Sequence, residues 1–319
     1  DQHGTAIIVA AAVLNGLRLV EKRLDEVKLV ASGAGAAGLS CLNQLVRLGV
    51  RKDNLVVCDK IGVVYQGRQE EMDPIKAVYA RDIPERSLAQ VIPGADIFLG
   101  LSAPGVLTPE MVKTMARDPL ILALANPDPE ILPDVARAAR PDAIIATGRS
   151  DYPNQVNNVL CFPYLFRGAL DVGATIINEE MKMATVRALA DMTMHHASDN
   201  VAVAYVGEEL NFGPEYLIPK PLDTRLILEL PVAVARAAME SGVAHRPITV
   251  VAAYREQLEL HVFRSGSVMR PVFAHAKGNP RRVIYAEGVD ELVVGAVEVV
   301  VDEGLANPIL IGRRDRVLV

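Results

Sequence analysis

Glycine stands at the first, third and sixth positions of a six-residue segment, Gly33-Ala34-Gly35-Ala36-Ala37-Gly38. In a turn between a strand and a helix, the first glycine permits a sharp bend and the second lets the main chain approach a pyrophosphate. The third lets the helix pack closely, and the free N–H groups at the helix N-terminus attract negative charge. Taken alone, the same spacing also fits an ordinary flexible loop. The pattern predicts a phosphate-binding turn where a strand precedes it and a helix follows it.

Both neighbouring elements are predicted. Residues 27–32 have the apolar composition of a short buried strand, and residues 36–48 have helical periodicity that ends at Gly49. A second strand over residues 55–58 ends at Asp59, about twenty residues after the glycines, where a dinucleotide-binding fold carries its ribose-binding acid. Asp59 also fits the composition of a solvated turn. The complete β-α-β unit predicts that this region binds NAD or NADP.

The choice between the two cofactors stays open at this point. Asp59 favours the free 2′-hydroxyl of NAD, whereas the cations that follow, Lys60 and Arg68, favour the 2′-phosphate of NADP.

Strands and helices continue to alternate as far as residue 147, which predicts a parallel sheet with helices on both faces. The further elements are predicted as strands at 97–101, 120–125 and 143–147 and helices at 109–117 and 129–139, with an irregular excursion over 62–82. Beyond Phe162 helices dominate, most clearly at 178–194 and 224–241, and a new strand begins at residue 282. The predicted fold is α/β, a Rossmann-type doubly wound parallel sheet with a C-terminal helical cover and the start of a second α/β domain.

Composition and charge exclude several classes of function. The chain has 319 residues, a formal net charge of −6 and 4% aromatic residues, which does not fit a nucleic-acid surface. The apolar runs at 6–14 and 292–301 are too short or too interrupted to cross a bilayer, so no membrane span is expected. Three cysteines in apolar contexts indicate buried reduced thiols and a cytoplasmic location. The chain opens with Asp1 rather than Met and lacks a secretory signal, which suggests a piece of a longer polypeptide.

Several motifs in a fixed order resemble a known family. They are DQHGTA from residue 1, GAGAAG from residue 33, LANP from residue 124 and TGRSDYPNQVNN from residue 147. Together they look like the cofactor-binding half of malic enzyme. The tail, RVIYAEG from residue 282 and GLANPILIG from residue 304, resembles the start of a phosphotransacetylase domain, as in large bacterial multimodular malic enzymes. The resemblance implies a cofactor-binding domain over 1–246, a linker over 247–280 and a truncated second domain over 281–319.

The resemblance implies an activity and a set of site residues. Malic enzymes oxidise malate to pyruvate and CO2 with NAD or NADP and a divalent cation, Mg2+ or Mn2+. Asp1 resembles a metal ligand of the family, although it also fits an exposed terminal acid. Asn126 would meet the nicotinamide side of the cofactor and the substrate, and Asn158 would bind the substrate carboxylate. Asparagines beside proline are more often turn formers, but these follow predicted strands, where open α/β sheets bind ligands.

The sequence also departs from the family pattern. The tyrosine acid, the lysine base and the Glu-Asp metal ligands of the family have no counterpart here, and Lys182, Lys220, Tyr152 and Tyr164 do not match those motifs. No catalytic residue is therefore assigned. The chain alone is expected to be inactive, and the longer polypeptide, a homo-oligomer, is expected to prefer NADP. Another Rossmann dehydrogenase and a non-catalytic module that senses a nucleotide or effector remain alternatives.

Overall fold

The computed structural model describes residues 2–195, 210–262, 275–302 and 304–312. The chain divides into two compact units, residues 1–251 and residues 252–319. Each unit is described by itself.

The first unit is built on a six-stranded sheet with the order β3-β2-β1-β4-β5-β6. The strands are β1 (Leu29–Ser32), β2 (Leu55–Asp59), β3 (Gly62–Val63), β4 (Ile97–Gly100), β5 (Leu120–Ala123) and β6 (Ile144–Thr147). All neighbouring pairs are parallel except β2 with β3, so the carboxyl ends of five strands meet at one edge of the sheet. That edge is where ligands bind in open α/β sheets.

Helices cover both faces of this sheet. The helices described in this unit are α1 (Gln2–Leu19), α2 (Ala36–Leu48), α3 (Pro74–Ala77), α4 (Leu88–Val91), α5 (Pro109–Lys113), α6 (Pro133–Ala139), α7 (Phe162–Asp171), α8 (Glu179–Met192) and α9 (Arg225–Glu240). One face packs Val30, Phe98 and Ile121 in a core shared with Val112 of α5 and Ala136 of α6. On the other face α1 lies directly against β5. The doubly wound arrangement predicted from the sequence is confirmed.

Glycine explains how closely α1 approaches the sheet. A Cβ atom on Gly16 would lie only 2.8 Å from the Cδ2 atom of Leu120, so a larger residue would require either the Leu120 side chain or α1 to shift. Asn15, fully buried beside it, donates to the main-chain oxygens of Ala190 at 2.9 Å and Leu217 at 2.8 Å. These two hydrogen bonds tie α1 to α8 and to the segment that precedes α9, both of which belong to the predicted C-terminal cover.

Three predictions of local structure were wrong. The segment 62–82, predicted to be irregular, contains β3 and α3, because Gly62 with a φ of +128° permits the tight reversal that turns β3 back along β2. The predicted helix over 129–139 starts only at Pro133, and the predicted helix over 109–117 ends at Lys113. The four residues before α6 instead turn back towards the sheet, where the Glu130 side chain is completely buried.

The second unit contains a short β-α-β arrangement. Strands β7 (Arg281–Tyr285) and β8 (Ala306–Leu310) pair in parallel, and α11 (Glu291–Asp302) connects them. The residues proposed as a linker, 247–280, include a further helix, α10 (Val251–Val262).

Two further predictions concern the state of the cysteines and the possibility of a membrane-spanning helix. Cys41, Cys58 and Cys161 are free and buried, as predicted, and burial raises the pKa of each thiol to about 12. Within the described ranges, no helix is both long and apolar enough to cross a membrane.

Candidate cofactor and substrate site

The glycine-rich turn links the end of β1 to the start of α2. Gly33 has a φ of +116°, and a Cβ atom there would lie 2.3 Å from the main-chain oxygen of Leu101. A Cβ atom on Gly38 would lie 2.1 Å from the main-chain oxygen of Gly33. Both positions therefore require glycine for the fold itself, the first because of its left-handed backbone and the second because the helix packs against the turn.

Gly35 differs from the other two glycines. Its φ of −83° and ψ of −175° suit any residue, and a Cβ atom there would meet no protein atom within 4 Å. Gly35 and Ala36 are exposed, at the N-terminus of the thirteen-residue helix α2. The first N–H groups of a helix have no partner within it, and the helix dipole favours an anion at this end. The space at Gly35 therefore fits a pyrophosphate.

Asp59, at the end of β2, is held by two cations. Its Oδ1 atom accepts hydrogen bonds from the Ile61 main-chain N–H at 3.0 Å and from Arg68 Nη1 at 2.9 Å. Its Oδ2 atom accepts from Arg68 Nη2 and from Lys76 Nζ, the latter at 2.9 Å. The three side chains are buried, with 9%, 2% and 10% exposed for Asp59, Arg68 and Lys76. One carboxylate with two cations leaves this cluster with a net positive charge.

The hydrogen bonds outweigh the burial of the Asp59 carboxylate. Burial alone would raise its pKa, but the bonds from Arg68, Lys76 and the Ile61 N–H lower the pKa to about 2. Arg68, considered for the 2′-phosphate on sequence alone, is buried against Asp59 and does not reach solvent. Lys60, by contrast, reaches solvent. Its side chain is 71% exposed, and its Nζ atom lies 2.5 Å from Oε1 of Glu71. Whether Asp59 and Lys60 contact a ribose stays a prediction.

Asn126 and Asn158 occupy different parts of the first unit. Asn126 is exposed two residues after Leu124, at the carboxyl end of β5, and its peptide bond to Pro127 is cis. Asn158 lies in the segment before α7, where its Oδ1 atom accepts a hydrogen bond from Thr5 Oγ1 at 3.0 Å. A Cβ atom on Gly4 would lie 3.4 Å from the Asn158 side chain. The structure therefore brings Gly4 and Thr5 of the DQHGTA motif together with Asn158.

Asn158 lines a cavity of about 420 Å³. His3 and Gly4 of α1, Phe162 and Phe166 of α7, and Lys182 of α8 line it too. Burial, together with the nearby Lys182 cation, lowers the pKa of His3. Lys182 itself is buried, and its Nζ atom lies 2.5 Å from Oε1 of Glu179. A cation, an imidazole and an amide around an apolar wall suit a small carboxylate ligand. From the sequence, Lys182 was set aside because it does not match the acid, base and metal-ligand motifs of the family.

Two further residues considered from the sequence are Asp1, as a metal ligand, and Tyr152. Asp1, the predicted metal ligand, lies outside the described residues. Within the described part of the chain, no three or more His, Cys, Asp or Glu residues group so as to hold a metal ion. Tyr152 donates a hydrogen bond to Asp134 at 3.1 Å and is therefore engaged on the surface.

The fold and the turn define the class: a Rossmann-type domain with a glycine-rich turn between β1 and α2. Residues 2–205 match the family model "Malic enzyme, NAD binding domain". The chain therefore belongs to the malic enzyme family, and the alternative of a different Rossmann dehydrogenase is excluded. Residues 267–318 match the model "Phosphate acetyl/butaryl transferase", as the resemblance of the tail implied.

Individual relatives agree with this assignment. The chain is 63% identical to an NAD-dependent malic enzyme of Rhizobium meliloti (strain 1021) and 60% identical to an NADP-dependent malic enzyme of Escherichia coli (strain K12), each over 98% of this chain. It covers 41% of the length of both relatives. The crystal structure of Entamoeba histolytica malic enzyme superposes with a TM-score of 0.71 at 32% identity, over 85% of this chain and 55% of that one.

Proposed function

We propose that this chain supplies the cofactor-binding half of an enzyme that converts malate to pyruvate and CO2 while reducing NAD(P)+. The observation that carries the proposal is the turn at residues 33–38, which requires glycine for the fold at two positions and leaves the third open to a ligand at a helix N-terminus. The cofactor, when bound, accepts a hydride from the hydroxyl-bearing carbon of malate. Sequence identity to relatives named malic enzymes supports the choice of substrate.

The residues of this chain would bind and orient the reactants. The N–H groups at the start of α2 would hold the pyrophosphate, and Asp59 would lie beside the adenosine ribose. Asn126 would contact the nicotinamide side and the substrate, and Asn158 would donate its amide N–H to a malate carboxylate. Lys182, in the same cavity as Asn158, would pair with that carboxylate in place of Glu179.

The remaining groups would come from outside the described residues. Malic enzyme chemistry uses Mg2+ or Mn2+, which polarises the carbonyl formed from malate. We propose Asp1 as one ligand and place the other ligands, the acid and the base in the longer polypeptide, since the relatives are more than twice as long as this chain. That polypeptide is proposed to act as a homo-oligomer in the cytoplasm, a reducing compartment that suits three free thiols.

The proposal predicts binding without turnover for residues 1–319. Malate and Mn2+ are added to this chain and, in parallel, to the longer polypeptide, and both NAD(P)H absorbance and pyruvate are followed. The longer polypeptide should form both products, whereas the chain alone should bind NAD(P)H and form neither. Turnover by the chain alone would show that the acid and base lie within it. An inactive longer polypeptide that still binds nucleotide would favour the sensing function instead.

For the coenzyme, we propose a preference for NADP over NAD. Overall identity does not separate the two, because relatives at 63% and 60% identity are named for different cofactors. The local charges support NADP: Arg68 and Lys76 neutralise Asp59, so the end of β2 would not repel a phosphate. Lys60 is exposed beside it and would pair with the 2′-phosphate in place of Glu71.

A lysine substitution tests this preference. Lys60→Ala should weaken NADPH binding by up to about 5-fold and leave NADH binding unchanged, since an exposed ion pair contributes up to about 1 kcal/mol. Lys113→Ala, an exposed lysine on α5, is the matched control. Tighter binding of NADH than of NADPH by the unsubstituted chain would overturn the proposal.

A further inference from the structure

Glu130 is a completely buried carboxylate near the ligand-binding edge of the sheet, between β5 and α6. Within the described part of the chain, no basic side chain forms an ion pair with it. Buried carboxylates without such a partner are rare in proteins, because transfer from water is costly unless hydrogen bonds compensate. The contacts of Glu130 therefore indicate the role of this buried carboxylate.

Both carboxylate oxygens of Glu130 accept main-chain hydrogen bonds from loops that follow strands. Oε1 accepts from the Ser102 N–H at 2.8 Å and from the Ser102 hydroxyl at 3.2 Å, just after β4. Oε2 accepts from the Ala125 N–H at 3.0 Å, just after β5. The main-chain oxygen of Glu130 also accepts from the Leu107 N–H at 3.1 Å. One residue thus joins the loops after two adjacent strands.

The end of β4 leaves space for this carboxylate. A Cβ atom on Gly100, the last residue of β4, would lie 2.4 Å from Cδ of Glu130. The backbone of Gly100 is not left-handed, so glycine is not needed there for a turn. Its missing side chain instead leaves room for the Glu130 carboxylate. The network extends to the glycine-rich turn, because the Ser102 hydroxyl lies 2.9 Å from the hydroxyl of Ser32, which immediately precedes Gly33.

We propose that Glu130 is a positioning residue for the nicotinamide half of the cofactor. It fixes the loops after β4 and β5, and through the Ala125 N–H it sets the main chain that carries the adjacent Asn126. The inference rests on the proposed function, because it takes the ligand at this edge to be a dinucleotide. Glu130 is fully buried, so it acts on the cofactor through these loops and not by contact.

The test uses residues 1–319 with Glu130→Gln. The amide would place N–H groups against a main-chain N–H, so Ser102 or Ala125 would lose its acceptor. Two ligands separate the halves of the site: NADPH, whose nicotinamide fluorescence reports the surroundings of the ring, and 2′-phospho-ADP-ribose, which lacks the ring. We expect the fluorescence enhancement of bound NADPH to fall at least about twofold, and the Kd of 2′-phospho-ADP-ribose to change by less than about twofold.

Two further variants distinguish positioning from general destabilisation. Gly100→Ala should displace the carboxylate and reproduce the loss of fluorescence, and combining it with Glu130→Gln should add little, because both act on the same group. Val112→Ala changes a buried core cluster that does not include Glu130, Ser102 or Ala125, and it should lower the unfolding temperature without altering the fluorescence.

The possible outcomes separate this inference from the proposed function. Unchanged NADPH fluorescence in Glu130→Gln would refute the positioning role, and so would equal weakening of both ligands. In the longer polypeptide, the same variant should lower kcat for malate oxidation more than it raises the KM for malate. If the unsubstituted chain bound neither ligand, the proposed function would fail and the role of Glu130 with it.

Discussion

Replacing Gly35 by valine should weaken cofactor binding while leaving the stability of the fold almost unchanged. The backbone at Gly35 suits any residue, and a Cβ atom there meets no protein atom within 4 Å. The free energy of unfolding should therefore change by less than about 1 kcal/mol, the range for compatible glycine replacements and for helix N-caps. Any larger effect on binding then reports the ligand rather than the fold.

The expected loss of affinity follows from the hydrogen bonds at stake. If the pyrophosphate lies over Gly35, the valine side chain occupies its place and separates it from the N–H groups of α2. One hydrogen bond to a charged group contributes about 1.5–3 kcal/mol, and each 1.4 kcal/mol is a factor of ten in Kd. Gly35→Val should therefore raise the Kd of NADPH and NADH by about 10- to 100-fold.

Calorimetric titration of residues 1–319 measures this Kd, and thermal unfolding monitors the fold. Gly278→Val is the matched control, because Gly278 is also exposed and a Cβ atom there meets no protein atom within 4 Å. It lies in the second unit and should leave the affinity unchanged. An unchanged Kd in a Gly35→Val chain that unfolds like the original would show that the pyrophosphate does not lie over this turn.

Three further predictions concern the fold and its charges. Gly33→Ala should lower the free energy of unfolding in urea by about 2 kcal/mol or more, because Gly33 has a φ of +116° and a Cβ atom would lie 2.3 Å from the Leu101 oxygen; stability equal to that of the unsubstituted chain would contradict this. The Asp59 carboxylate, whose pKa falls from 3.8 to about 2 on folding, should contribute about 2 kcal/mol at neutral pH, fully present above about pH 4 and lost as the pH falls through 2. Acid unfolding of Asp59→Asn should lack that part of the pH dependence, and an identical pH profile would refute the assignment. Cys41, Cys58 and Cys161 should react with a thiol reagent at pH 8 only on unfolding, since burial raises each pKa to about 12; rapid reaction of the folded chain would contradict their burial.

The repeating elements of the fold could be predicted from the sequence because each carries its own local pattern. Strand β2 begins at Leu55 as predicted, since a run of apolar residues is buried on both faces. Helix α2 has the predicted bounds, 36 and 48, because glycines mark both its start and its end. Strand β3 could not be predicted in this way, because two residues show no period and its pairing depends on the reversal at Gly62.

The side-chain clusters at the sheet edge could be predicted only in part. Asp59 could be singled out from its distance to the glycines, but its partners could not, because Arg68 and Lys76 lie nine and seventeen residues further on, beyond an aperiodic segment. Glu130 belongs to a stretch with the composition of a helix start, and its burial depends on the space left by Gly100 in a different strand. Such contacts between distant segments leave no periodic signal in the sequence.

The negative charges of Asp59 and Glu130 are compensated by different kinds of groups. Both are buried acids near the edge where a polyanionic cofactor is proposed to bind, and an uncompensated charge at either position would repel it. Asp59 is neutralised by Arg68 and Lys76, so the charge is cancelled where a 2′-phosphate would lie. Among the described residues, Glu130 is compensated by N–H and hydroxyl donors alone, which orders the loops towards the proposed nicotinamide site. Both sets of bonds exist before a ligand arrives. The loops at this edge would therefore lose little conformational entropy on binding, which favours a high affinity for the cofactor.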